Sequence, residues 1–134
     1  MKLGSVLNQK QRTRVNFRSW LKEFYIEGRQ YELRIIRIFQ PTRFPNYTLI
    51  LLDTEHAIEV SRTLKPETAK ELLKEFKFSN KRPTPGTLYL VIDKTGEAEI
   101  IHTPEQNFEY QVDGFGWKLV DKTQQAEFDD DIPF

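Results

Sequence analysis

Lys65-Pro66-Glu67-Thr68-Ala69-Lys70-Glu71-Leu72-Leu73-Lys74-Glu75-Phe76-Lys77 is the stretch on which the fold turns. A proline near its start, where a helix tolerates one, and apolar residues at 69, 72, 73 and 76 predict a helix ending near Lys77. Glu67, Glu71 and Glu75 are matched by Lys70, Lys74 and Lys77, so the remaining surface is a solvated face.

On both sides of this helix the chain changes to a strand pattern. Upstream, residues 31–39 carry Leu33, Ile35, Ile36 and Ile38, and residues 47–52 and 57–61 give two further strands around an Asp53-Thr54-Glu55 turn. Strict alternation places Arg34 and Arg37 on opposite faces of the first strand. Downstream, residues 80–86 form a loop with two prolines. Residues 87–92 and 97–102 then make a hairpin about Asp93-Lys94-Thr95-Gly96. Residues 108–112 and 116–120, flanking Asp113-Gly114-Phe115, read as an appended hairpin. Near the start, Phe17, Trp20, Leu21 and Phe24 fall at helical spacing over 17–26, with Asn16 as N-cap and Gly28 as C-cap. That aromatic stripe is expected to pack on the sheet.

Three strands, a helix and a two-stranded hairpin are the element order of the OB-fold. The expectation is therefore a mainly β protein, an OB-fold-like five-stranded barrel whose helix lies between strands three and four, with an N-terminal helix added. Residues 1–15 read as a flexible basic arm, 16–120 as the domain and 121–134 as a disordered acidic tail.

Composition limits the chemistry. The 134 residues suffice for one domain with tails, and the absence of cysteine removes disulfides, thiolate metal sites and thiol nucleophiles. This suits a reducing cytoplasm. The N-terminus lacks the apolar stretch of a signal peptide, and no apolar run is long enough to span a membrane. His56 and His102 are lone histidines on or beside strands, and consecutive aspartates in a tail do not converge on one ion. No phosphate-cradling glycine loop is present. The expectation is a non-enzymatic chain with no cofactor and no metal.

The net charge of zero conceals an asymmetry. Residues 1–43 carry a balance of +7, residues 44–120 of −3 and residues 121–134 of −4. A basic front and an acidic end suit a protein that binds a polyanion and carries its own competitor.

The chain ends Asp129-Asp130-Asp131-Ile132-Pro133-Phe134. A Phe ring beside a free carboxylate suits an apolar pocket with a basic rim, and the aspartates suit a basic surface around it. This hexapeptide resembles the C-terminal tip of bacterial single-stranded DNA-binding proteins. The likeness covers the last six residues, or about nine with Ala126-Glu127-Phe128, and does not extend over residues 1–120. It implies a role in DNA replication, recombination or repair. With no likeness over residues 1–120, a divergent member from a phage or mobile element fits better than a housekeeping one, and cellular or phage origin stays open. It also implies an OB-fold, single-stranded DNA as ligand, and recruitment of bacterial replication and repair enzymes through the tip. The place of action would be the bacterial cytoplasm or nucleoid, or the host cytoplasm for a phage protein, and homo-oligomers are compatible with it.

An OB barrel binds a single strand with a basic groove for phosphates and exposed rings for bases. The candidates for stacking are Phe39, Phe44, Tyr47 and Tyr89. Those for phosphate are Arg37 and Arg43, Arg34 is a further DNA-binding candidate, and Lys81, Arg82 and Lys94 close the groove. Trp20 and Trp117 are expected in the core or at an interface, not as DNA contacts. Two other readings remain open: an interaction protein whose borrowed tip occupies host repair enzymes, and an RNA-binding OB module.

Overall fold

The computed structural model describes residues 13–123. The elements are β1 (Arg14–Asn16), α1 (Phe17–Glu23), β2 (Tyr31–Phe39), β3 (Tyr47–Asp53), β4 (Ile58–Leu64), α2 (Pro66–Lys81), β5 (Gly86–Ile92), β6 (Ala98–Pro104), β7 (Phe108–Asp113) and β8 (Gly116–Asp121). Among the described residues the protein is mainly β, an open mixed sheet of eight strands with two helices.

β2 is the hub. One edge pairs antiparallel with β3, which continues antiparallel into β4. The other edge pairs with β5 up to Arg34 and with β8 at Arg37 and Ile38. β6 extends the sheet from β5, and β7 pairs with β8. β1 runs parallel to β4, with Arg14 opposite Glu59 and bonded to it at 2.7 Å. Arg14 and Val15, expected to belong to the arm, are therefore part of the sheet. The hairpin read as an appendage is also integral, because β8 takes over the edge of β2 that β5 leaves.

Where β5 and β8 part, ladder bonds of β2 would be lost. The buried Tyr110 hydroxyl fills that gap, accepting from the Leu88 N–H at 2.9 Å and donating to the Ile35 carbonyl at 2.6 Å. Buried backbone polar groups need such partners, and here a side chain supplies them. Burial pushes this phenol far above its ordinary pKa, so it stays protonated.

The pairing of β2 with β3 slips between Ile35 and Arg37, leaving Ile36 as a bulge. A bulge reverses the alternation that follows it. Leu33, Ile35 and Ile38 are thus all core residues, while Arg34, Arg37 and Phe39 share the outer face. The expectation of opposite faces for Arg34 and Arg37 fails for this reason.

The inner face packs on both helices. Ala69, Leu72 and Phe76 of α2 are buried at helical spacing, and the Phe76 ring meets Tyr110 edge-on at 4.7 Å. α2 continues past the expected end, so Asn80 and Lys81 are helical and not part of a loop. α1 is shorter than expected and ends at Glu23; Asn16 caps it, accepting from the Ser19 N–H at 2.8 Å. Gly28 does not cap this helix: its φ of +87° serves the later turn into β2.

Trp20 is fully buried, and its indole donates to Asp53 at 2.8 Å. Trp117 stacks at 6.3 Å on Phe76 against the core. Both tryptophans occupy the core region, as expected.

Candidate nucleic-acid interface

The outer face of β2 carries a row of cations and rings. At its first half, Arg34 donates to the Tyr89 hydroxyl at 3.3 Å and lies 3.2 Å from the Glu105 carboxylate. Its guanidinium stands 4.6 Å from the centre of the Phe108 ring and 5.8 Å from that of Tyr89. Glu105 also accepts from the buried Thr87 hydroxyl at 2.5 Å. Burial, joined by the Glu105 charge, raises the Tyr89 phenol above its usual pKa despite the opposing Arg34. This half of the row is locked: the cation is matched by a carboxylate and has two rings close by.

Beyond the bulge, the Arg37 guanidinium stands 4.4 Å from the centre of the Phe39 ring. Its partner Asp113 is 3.5 Å away, and the two side chains are 47% and 36% exposed. Such an exposed pair holds its members weakly. Lys118, opposite Arg37 in the ladder, adds a second exposed cation.

β2 then enters a loop bearing exposed Arg43 and Phe44. Arg43 has a left-handed φ of +75°, and Gln40 closes the loop by donating to the carbonyls of Phe44 and Pro45 at 3.2 Å. Phe44 is 65% exposed. Against this loop lies the tip of the β7–β8 hairpin, where Phe115 is 87% exposed. The close approach depends on Gly116, since a Cβ there would stand 1.9 Å from the Ile38 carbonyl oxygen. Loop and hairpin border an open cleft of about 320 Å³.

The sequence candidates therefore divide. Arg34, Arg37, Phe39 and Tyr89 share the outer face, and Arg43 and Phe44 continue from its end. Tyr47 is elsewhere: half-buried opposite Leu64, it packs on the inner core. Lys81 closes α2, and Arg82 is close enough to His102, on the helix side, for its charge to add to burial in lowering that imidazole's pKa. Lys94 lies in the β5–β6 turn, beyond the Ile92–Tyr31 pair and so at the opposite end of β2 from Phe44. The tip, Asp129–Phe134, lies outside the described residues. Sequence reading missed Lys118 and Phe115. An aromatic beside Gly114 in a two-residue turn has no core within reach, and that was the available signal for Phe115.

Asp53, Glu55 and His56 bring three possible ligand atoms within 4.8 Å of one another. The Asp53 oxygens already accept from the Trp20 indole, from His56 Nδ1 when that nitrogen is protonated, and from the Glu55 and His56 N–H groups. Burial acts to raise the Asp53 pKa, but these hydrogen bonds hold it below the usual carboxylate value. The arrangement fastens α1 to the β3–β4 turn.

Comparison of the chain with protein-family models, with curated proteins and with solved structures finds no match.

Proposed function

We propose that this chain is a non-enzymatic protein that binds single-stranded DNA without sequence preference, along the outer face of β2. The observation that carries the reading is the bulge at Ile36, which gathers Arg34, Arg37 and Phe39 on one face leading to Arg43 and Phe44. Arg37, Arg43 and Lys118 would meet phosphates. Phe39 and Phe44 would stack on bases, which every base permits because each has a π-face. Arg34 and Tyr89, held by Glu105, would form the floor of the track.

Strands β2 to β6 with α2 between β4 and β5 follow the OB order, and we take them as an OB-type barrel left open between β4 and β6. The acidic tip at 129–134 would recruit replication and repair enzymes in a bacterial cytoplasm, with bound DNA drawing the tail off the basic face.

The test is a titration of labelled oligo-dT, oligo-U and duplex over a range of salt. Affinity for oligo-dT should fall steeply with salt, with a slope of about −0.7 per phosphate neutralised. A chain shortened by residues 129–134 should bind as well or better at low salt. Salt-independent affinity or a preference for duplex overturns the reading, and a preference for oligo-U turns it to RNA.

A further inference from the structure

We propose that the cleft between the β2–β3 loop and the β7–β8 hairpin is a base-binding subsite, in which Phe44 and Phe115 grip one unstacked base of a single-stranded DNA. This rests on the reading of the outer face as a DNA track, and it assigns a ligand class to a feature outside the five barrel strands.

Three observations converge on it. The most exposed large apolar residues of the described chain include Phe115 and Phe44, at 87% and 65%, and both border this one cleft. Single exposed apolar residues are ordinary, but two large rings bordering one cleft form the kind of contiguous apolar patch that marks an interaction site. The approach is also built and not accidental: Gly116 alone permits the hairpin to close on Ile38 and Phe39, and Gln40 fixes the carbonyls of the facing loop. Finally, a cleft of about 320 Å³ is at the small end of the ~300–1,000 Å³ that ligand sites occupy.

Charge selects the occupant. Arg43 is part of the cleft wall, and Arg37 and Lys118 stand on the strands leading to it, which is the surround a polyanion needs. The larger cleft, about 410 Å³ between β4, β6 and α2, is rimmed by Glu71, Glu75 and Glu99 with Arg62, the wrong balance for DNA. Its floor of Leu49, Leu72 and Leu90 is apolar, but no ring lines it for a base to stack on. A nucleobase is therefore the chemistry the smaller cleft suits, with the flanking phosphates on the cations.

The experiment is a double-mutant cycle in the full chain, with Phe44→Ala, Phe115→Ala and the double variant titrated against oligo-dT and an abasic oligomer of equal length. Both rings are largely solvated, so the variants should unfold at nearly the parent temperature. Each single variant should lose roughly five- to hundred-fold in affinity for oligo-dT. The double variant should lose little more than the worse single, because a grip needs both jaws. On the abasic oligomer all four proteins should bind alike. Parent-like oligo-dT binding by Phe115→Ala, or strictly additive losses, overturns the subsite while leaving the track intact. Failure of the parent chain to bind oligo-dT overturns both.

Discussion

The two halves of β2 present the same chemistry, an arginine beside an aromatic ring, in opposite conditions. Before the bulge, Arg34 has the Glu105 carboxylate, the Tyr89 phenol and the Phe108 ring around it, and its side chain is 21% exposed. After the bulge, Arg37 has one ring and one loosely placed aspartate, and is 47% exposed. A cation so thoroughly matched contributes to the fold, joining β2, β5 and the segment before β7. One so loosely matched keeps its charge available for a ligand. The difference teaches that an arginine on a candidate binding face must be judged by what already neutralises it.

The largest effect should come from the junction between the halves. Tyr110→Phe keeps the ring and removes the hydroxyl, leaving the Leu88 N–H and the Ile35 carbonyl without that partner in a buried place. Each such group costs about 1–3 kcal/mol, so chemical denaturation should show a loss of roughly 2–6 kcal/mol. A loss below about 1 kcal/mol would mean that β2 and β5 close the gap by themselves.

Next come the two halves directly. Glu105→Ala strands the Arg34 guanidinium and the Thr87 hydroxyl together, and should lower stability by about 2–3 kcal/mol. Arg37→Ala breaks only an exposed pair and should cost under ~1 kcal/mol. In DNA titrations the order reverses. Arg37→Ala should weaken binding and flatten the salt slope by about 0.7, one phosphate's worth. Folded Glu105→Ala should keep the slope of the parent or steepen it, because it releases the Arg34 guanidinium on the floor of the track. Equal slopes for Arg37→Ala and parent would remove Arg37 from the track.

Much of the fold was legible because its signals are local. The apolar spacing of α2, the Asn16 cap and the β-branched run of β2 each declare themselves within a few residues. What was not legible depends on partners far away in the chain. The slip at Ile36 arises from pairing with Leu51 and Ile50, and nothing within residues 31–39 announces it. The docking of β8 on β2 rests on Gly116 fitting against Ile38, a contact across almost eighty positions, on the order of the separations at which local pattern carries no information. The candidate site was legible in its residue types more than in its assembly. Arg37, Phe39 and Phe44 were chosen by type and lie on or beside one outer face, whereas Tyr47 looked like a loop residue and packs inward opposite Leu64. Lys81, Arg82 and Lys94 were chosen for charge in predicted loops, and charge alone does not say which face a loop serves.

The smallest effect isolates the contrast between the halves most cleanly. Asp113 is the carboxylate beside Arg37, as Glu105 is beside Arg34, but it stands in a turn before Gly114, whose φ is +59°. Asparagine has nearly the same shape and is at home in such turns, so Asp113→Asn should leave the hairpin in place. The change removes one negative charge next to the proposed track. Arg37 would then meet a phosphate without first giving up its partner. An exposed pair of this kind is worth on the order of 0.5 kcal/mol, which corresponds to a two- to threefold gain in oligo-dT affinity at low salt. The gain should fade as salt shortens the range of the interaction to a few ångströms. It should also vanish in an Arg37→Ala background, where no guanidinium remains to be released. A gain that persists without Arg37 would show that Asp113 acts by general repulsion of the DNA, and the exposed half of β2 would lose its claim to a specific phosphate contact.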